Sequence, residues 1–298
     1  MRMLTFLLAT FGVSWAIALG LHGAGGLAGA PPPLVAAALL AYMFGPAVGA
    51  VLATALFDRG AFLRTLGLTP FRWGRTVRWV AIGWGLPLLL IVLATSLILV
   101  VLGAPPADAA ARLHAQASAA AQAAGASLPV SPEQLLWLTL AVNLPVGIVI
   151  NTVLITFNEE LGWRGWLYTR LAHLGFWRVS LITGLLWGLW HAPIVLMGHN
   201  YPGLGLLGVA LMIAWTVLFA PYFTLVREGG GNIWAAGAMH GAVNAGTGIG
   251  LLFVPTPVWP HSGLLGAAGF AVLLAGWGGI AWYRQRAIVR RPEPDGAG

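Results

Sequence analysis

Apolar residues fill this chain in long blocks, and short polar stretches between them carry most of the charge. Eight blocks read as membrane-spanning helices, near residues 3–21, 34–57, 79–103, 143–166, 179–198, 204–226, 232–252 and 263–283. The expected fold is all-α: a polytopic membrane protein of about eight transmembrane helices with a polar intramembrane cavity. It reads as one integral membrane domain over 1–298, with no soluble domain and no internal repeat. The first block competes with a cleaved signal peptide, since Ala28-Gly29-Ala30 resembles a small-residue cleavage site. Its run from Leu4 to Leu21 is long for that role, so it is read as a retained helix.

The stretches between blocks are mostly bland. Ala104 to Gln134 is Ala-rich and bracketed by prolines, and residues 108–124 read as a surface helix. Phe62 to Arg78 is basic and aromatic, and reads as a loop at the inner surface. Residues 167–178 mix aromatics with arginines and fit an interfacial connector. The tail from Arg290 to Gly298 is short, polar and expected to be disordered.

Charge decides the topology. Only 8% of the 298 residues are charged, mean hydropathy is +0.85, and the net charge is +7. In a soluble chain that charge would suggest nucleic acid. Here the basic residues lie mainly between apolar blocks and report orientation instead, so no nucleic-acid partner is expected. All fifteen basic residues are arginine. With the N-terminus inside, Arg112 alone falls outside, which predicts an even number of spans and both termini in the cytoplasm. The Ala, Gly and Arg richness suggests a GC-rich bacterial genome, hence the inner membrane of a bacterium. Cysteine is absent, which excludes disulfides, a thiol nucleophile and thiolate metal sites.

Chemistry concentrates in three places. The first is Asn158-Glu159-Glu160-Leu161-Gly162-Trp163-Arg164-Gly165. Ionisable residues at membrane depth are expensive and mark functional sites by default. Glu160 and Arg164 are four apart and can pair on one helix face, leaving Glu159 freer to do chemistry. The alternative is that all three are solvated helix-end charges. The second place is Trp187-Gly188-Leu189-Trp190-His191-Ala192-Pro193, where Pro193 would kink the helix beside His191. A lone membrane histidine more often serves helix packing. The third is Met239-His240-Gly241-Ala242-Val243-Asn244, which puts His240 and Asn244 on one face.

Measured along the helices from their arginine-bearing ends, the three places reach similar depth and can converge in an inward-facing cavity. Peptide hydrolysis needs an activated water and donors for the oxyanion. Glutamate can take the proton, asparagine can donate, and histidine can donate or ligate a metal. There is no His-Glu-x-x-His and no Gly-x-Ser-x-Gly.

Together, Glu-Glu-x-x-x-Arg, an aromatic-x-x-x-His and His-x-x-x-Asn resemble the CAAX protease and bacteriocin-processing (CPBP, or Abi) family. That family of intramembrane proteases includes the Rce1-type prenyl-protein endopeptidases. The matching residues are Glu159, Glu160 and Arg164, then His191, then His240 and Asn244, with Trp187 where the family pattern usually has Phe. The resemblance implies a membrane-embedded, glutamate-dependent endopeptidase with a motif-bearing core over about 143–252. In it Glu159 would activate water, His191 would assist it or hold it, and His240 with Asn244 would stabilise the oxyanion. If the reaction uses a metal, Glu160, His191 and His240 are the expected ligands and zinc the candidate. The implied partners are a peptide or protein substrate at the membrane and the lipid bilayer.

Two rival readings use the same residues. A proton-coupled carrier would favour repeated halves with broken helices in corresponding positions, and the motifs instead crowd into one half. A non-catalytic scaffold or immunity protein would be expected to have lost a motif residue, and all six are kept. His22, His114, His199 and His261 are read as outer-loop residues, and His173 as part of the inner connector.

Overall fold

The computed structural model describes residues 1–289, with side-chain environments through 286; the tail expected to be disordered lies outside the described residues. Helices dominate, and no strand occurs among the described residues. The eight long segments are α1 (Arg2–Gly23), α2 (Pro32–Met43) running into α3 (Gly45–Phe57), α4 (Trp73–Leu102), α6 (Pro132–Leu174), α7 (Phe176–Trp190), α8 (Gly205–Gly230), α9 (Trp234–Leu252) and α10 (Ala267–Val289). Helix α5 (Ala109–Ala123) is the expected surface helix, started by Asp108, whose carboxylate accepts the Ala111 amide at 2.9 Å.

Five of these, α1, α2–α3, α4, α6 and α8, are long and apolar enough to cross a membrane by length and composition. Their outward faces are apolar, with Val100, Val101 and Leu206 exposed, as lipid contact requires. The protein is an all-α membrane protein.

Two helices begin earlier than the apolar pattern suggests. Helix α4 starts at Trp73 instead of 79, because its arginine-bearing first turns have partners. Arg75 donates to the carbonyls of Glu228 and Gly229, both at 2.6 Å, at the carbonyl-rich end of α8. Helix α6 starts at Pro132 instead of 143, because Ser131 and Gln134 form a capping box. It also runs on to Leu174, through most of the expected connector.

Helix pairs α4 with α9, α9 with the middle of α6, and α7 with α8 form the body of the bundle. Helix α3 lies against α1 and against the lower part of α6. Ion pairs gather at one end: Asp58 with Arg2 and Arg170, and Glu228 with Arg284. The other end carries the loops 197–204 and 253–266, where Arg112 binds the carbonyls of Val254 and Pro255.

Candidate active site

The first motif sits on a π-helical stretch of α6, Thr156–Leu167. Its hydrogen bonds close over five residues, a form uncommon outside functional sites. All of its residues but Phe157 are buried. Small residues let it sit so deep: a Cβ at Gly162 would lie 2.5 Å from the Pro46 side chain and 2.7 Å from its carbonyl oxygen. Trp163 and Trp166 fill the flank, with Trp166 stacked on Phe6 at 4.6 Å between ring centres.

Glu160 and Arg164 meet on this stretch. Arg164 Nη1 donates to Glu160 Oε1 at 2.8 Å, with the two side chains 2% and 0% exposed. The guanidinium also lies 3.9 Å from the Phe223 ring centre and 4.6 Å from that of Trp187, a desolvated cation–π arrangement. The backbone is tied in as well, since Arg227 Nε donates to the Arg164 carbonyl at 2.8 Å. The solvated helix-end alternative is therefore excluded for this pair.

Glu159 points elsewhere. Its Oε2 accepts the Trp187 indole N–H at 3.0 Å. His191 Nδ1 lies 2.8 Å from the Trp187 carbonyl. A carbonyl only accepts, so Nδ1 carries the proton and Nε2 of the neutral ring is left as an acceptor. Helix α7 stops at Trp190 and resumes at Ala192 for one short turn, as Pro193 dictates. The Trp190 carbonyl at this break is satisfied from outside, by the Tyr42 hydroxyl and by Trp15 Nε1 at 3.1 Å.

His240 Nδ1 stands 2.8 Å from Glu160 Oε1 and donates to it. Close packing of α9 on α6 sets this contact. A Cβ at Gly241 would lie 2.5 Å from the Thr152 amide nitrogen, so only glycine permits the approach. The Trp187 ring centre is 5.8 Å from that of His191 and 5.1 Å from that of His240. One indole thus bridges the three motifs.

A cavity of about 300 Å³ opens beside these groups. Glu159, His191, His240 and Asn244 line it; Glu160 and Arg164 lie behind its wall. Tyr42, His199 and Asn200 line it too, and sequence reasoning did not single them out. His199, read as an outer-loop residue, is only partly exposed, and its ring lies parallel to that of His191 at 6.5 Å. Burial holds its imidazole below the ordinary value, by desolvation of the charged form. Nothing in the local pattern separates it from a solvent-facing loop histidine.

The cavity reaches toward the loop end of the bundle, through His199, Asn200 and Leu265, and away from the arginine-rich end.

The conditional zinc set does not assemble. Among the described residues no group of three His, Cys, Asp or Glu is placed to hold a metal ion. Glu160 Oε1 is already held by Arg164 and His240, and a metal there would face the guanidinium charge.

Comparison with known proteins agrees with the motifs. Residues 141–246 match the family described as type II CAAX prenyl endopeptidase, Rce1-like. It is the motif-bearing segment that is similar to this family. All six motif residues fall inside it. A CAAX prenyl protease 2 from Methanococcus maripaludis is 32% identical over 57 residues, which span 19% of this chain and 21% of that protein. The match to that relative therefore covers about a fifth of its length, and its activity is a property of that protein.

Proposed function

We propose that the chain is an intramembrane endopeptidase of the CAAX protease type, forming a single membrane domain with its catalytic core over about 143–252. The observation that carries this reading is the sorting of the six motif residues. Four of them line one cavity, and the Glu160–Arg164 pair holds that cavity's wall from behind.

The contacts sort the roles. His240 Nδ1 donates to Glu160, which Arg164 also holds, so Glu160 is occupied. Glu159, oriented by Trp187, is the carboxylate that faces the cavity and serves as the base. It takes a proton from water as the water oxygen bonds to the peptide carbonyl carbon. The oxyanion forms beside His240 and Asn244, the pair suited to donate to it. His191 Nε2 accepts a hydrogen bond from the water during the attack, and as the C–N bond breaks the proton passes from Glu159 to the departing amine.

The substrate is a peptide or protein segment at the bilayer. Arginine placement supports a bacterial inner-membrane protein with both termini cytoplasmic. A cytoplasmic mouth, the expectation from depth, is harder to reconcile with the cavity lining. His199, Asn200 and Leu265 support entry at the arginine-poor end.

Glu159→Gln tests the assignment. It keeps shape and can still accept from Trp187, but it cannot take up the proton. Peptide cleavage should vanish while folding and peptide binding persist. Cleavage at the wild-type rate would remove Glu159 as the base.

A further inference from the structure

A second cavity, of about 530 Å³, adjoins the first and shares Asn200, Thr247 and Leu265 with it. It runs under the loops 197–204 and 253–266, between Tyr201 and Trp259. Asn200 stands at the junction.

Its backbone is unusual. Asn200 has φ of 61°, the one non-glycine residue with positive φ among the described residues. The neighbouring positive-φ positions are all glycine, Gly198 and Gly203 in the loop and Gly205 at the start of α8, with φ of 103°, 78° and 52°. Asparagine in this conformation normally compensates by bonding its own turn. Here the carboxamide does not. Its one hydrogen bond among the described residues runs from Nδ2 to Met212 Sδ at 3.6 Å, and a thioether is a weak acceptor. The turn around it is held by other groups, including the Tyr201 amide on the His199 carbonyl at 2.7 Å and the Tyr201 hydroxyl on the Leu265 carbonyl at 2.9 Å. The carboxamide is thus exposed, with Met212 Sδ its one protein partner among the described residues.

We propose that Asn200 is a substrate-positioning residue whose carboxamide pairs with a peptide unit of the substrate as the chain passes from the Glu159 cavity into the second cavity. An amide matches a peptide group because it offers both donor and acceptor. The volume lies within the 300–1,000 Å³ typical of ligand pockets. An extended chain advances about 3.3 Å per residue, so a few residues reach beyond the junction. This inference rests on the endopeptidase reading.

The test uses the full-length protein in detergent and a mixed library of end-capped decapeptides. Asn200→Gly keeps the backbone conformation and deletes the amide. Cleavage should show KM raised about 5–10-fold, the loss of one hydrogen bond, with kcat changed much less and thermal stability equal to wild type. Asn200→Asp, which keeps an acceptor and loses the donor, should fall between the two. Pentapeptides too short to cross the junction should be insensitive to both changes. A wild-type KM in Asn200→Gly, with lowered stability in Asn200→Ala, overturns the proposal and leaves Asn200 as a turn residue. Binding of the same decapeptides to Glu159→Gln, read by tryptophan fluorescence, separates the two readings. If wild type binds without cleaving, the endopeptidase reading falls, and weaker binding with Asn200→Gly added still supports the positioning role. If nothing binds, the positioning role falls as well.

Discussion

Replacing Arg164 by methionine should unfold the protein at markedly lower temperature. Methionine keeps the contact with Phe223 and Trp187 in volume but removes the charge. Glu160, with no exposed surface, then keeps its negative charge with only His240 Nδ1 beside it. Breaking one partner from a buried pair costs about 3–5 kcal/mol, because the remaining charge stays desolvated. On the scale of soluble domains of similar length, that is a fall in Tm of roughly 6–20 °C. Adding Glu160→Gln to Arg164→Met removes the stranded charge and should recover a large part of the loss. The cycle therefore separates a missing interaction from an uncompensated charge. Intrinsic tryptophan fluorescence during heating in detergent reads all four proteins of the cycle: wild type, Arg164→Met, Glu160→Gln and the double variant. If Arg164→Met melts with wild type, or if the double variant loses the sum of both single losses, the pair does not hold the cavity wall.

Three further outcomes are expected. Gly241→Ala places a methyl 2.5 Å from the Thr152 amide nitrogen; overpacking of this kind costs about 1–3 kcal/mol, and it should lower both Tm and peptide cleavage by pushing His240 off Glu160. Reporter fusions after Arg78 and after Arg286 should both report the cytoplasm, whereas a fusion in the loop 253–266 beside the cavity mouth should not; a cytoplasmic signal from that loop would reverse the orientation. His199, held below the ordinary histidine value of about 6.5 by burial, should add no step to the pH–rate profile above that pH. Any folding stability it contributes is lost only as pH falls below about 6.5, because the unfolded chain then binds the proton that the folded one resists; His199→Gln should leave the neutral-to-alkaline limb of the profile unchanged.

The sequence by itself determined the fold class and the three motifs, for a physical reason. Apolar blocks long enough to span a bilayer have few other solutions than helices, and ionisable residues such as Glu160 and Arg164 inside them must find partners. The i,i+4 spacing made that pair legible. Helix ends were less legible, because the start of α4 depends on Arg75 meeting the carbonyls of Glu228 and Gly229 more than 150 residues away in the chain. The surroundings of the site were not legible. That Trp187 would bridge Glu159, His191 and His240, that Glu160 would sit behind the cavity wall, and that His199 and Asn200 would face into it depend on how α3, α7, α8 and α9 pack around one π-helical stretch.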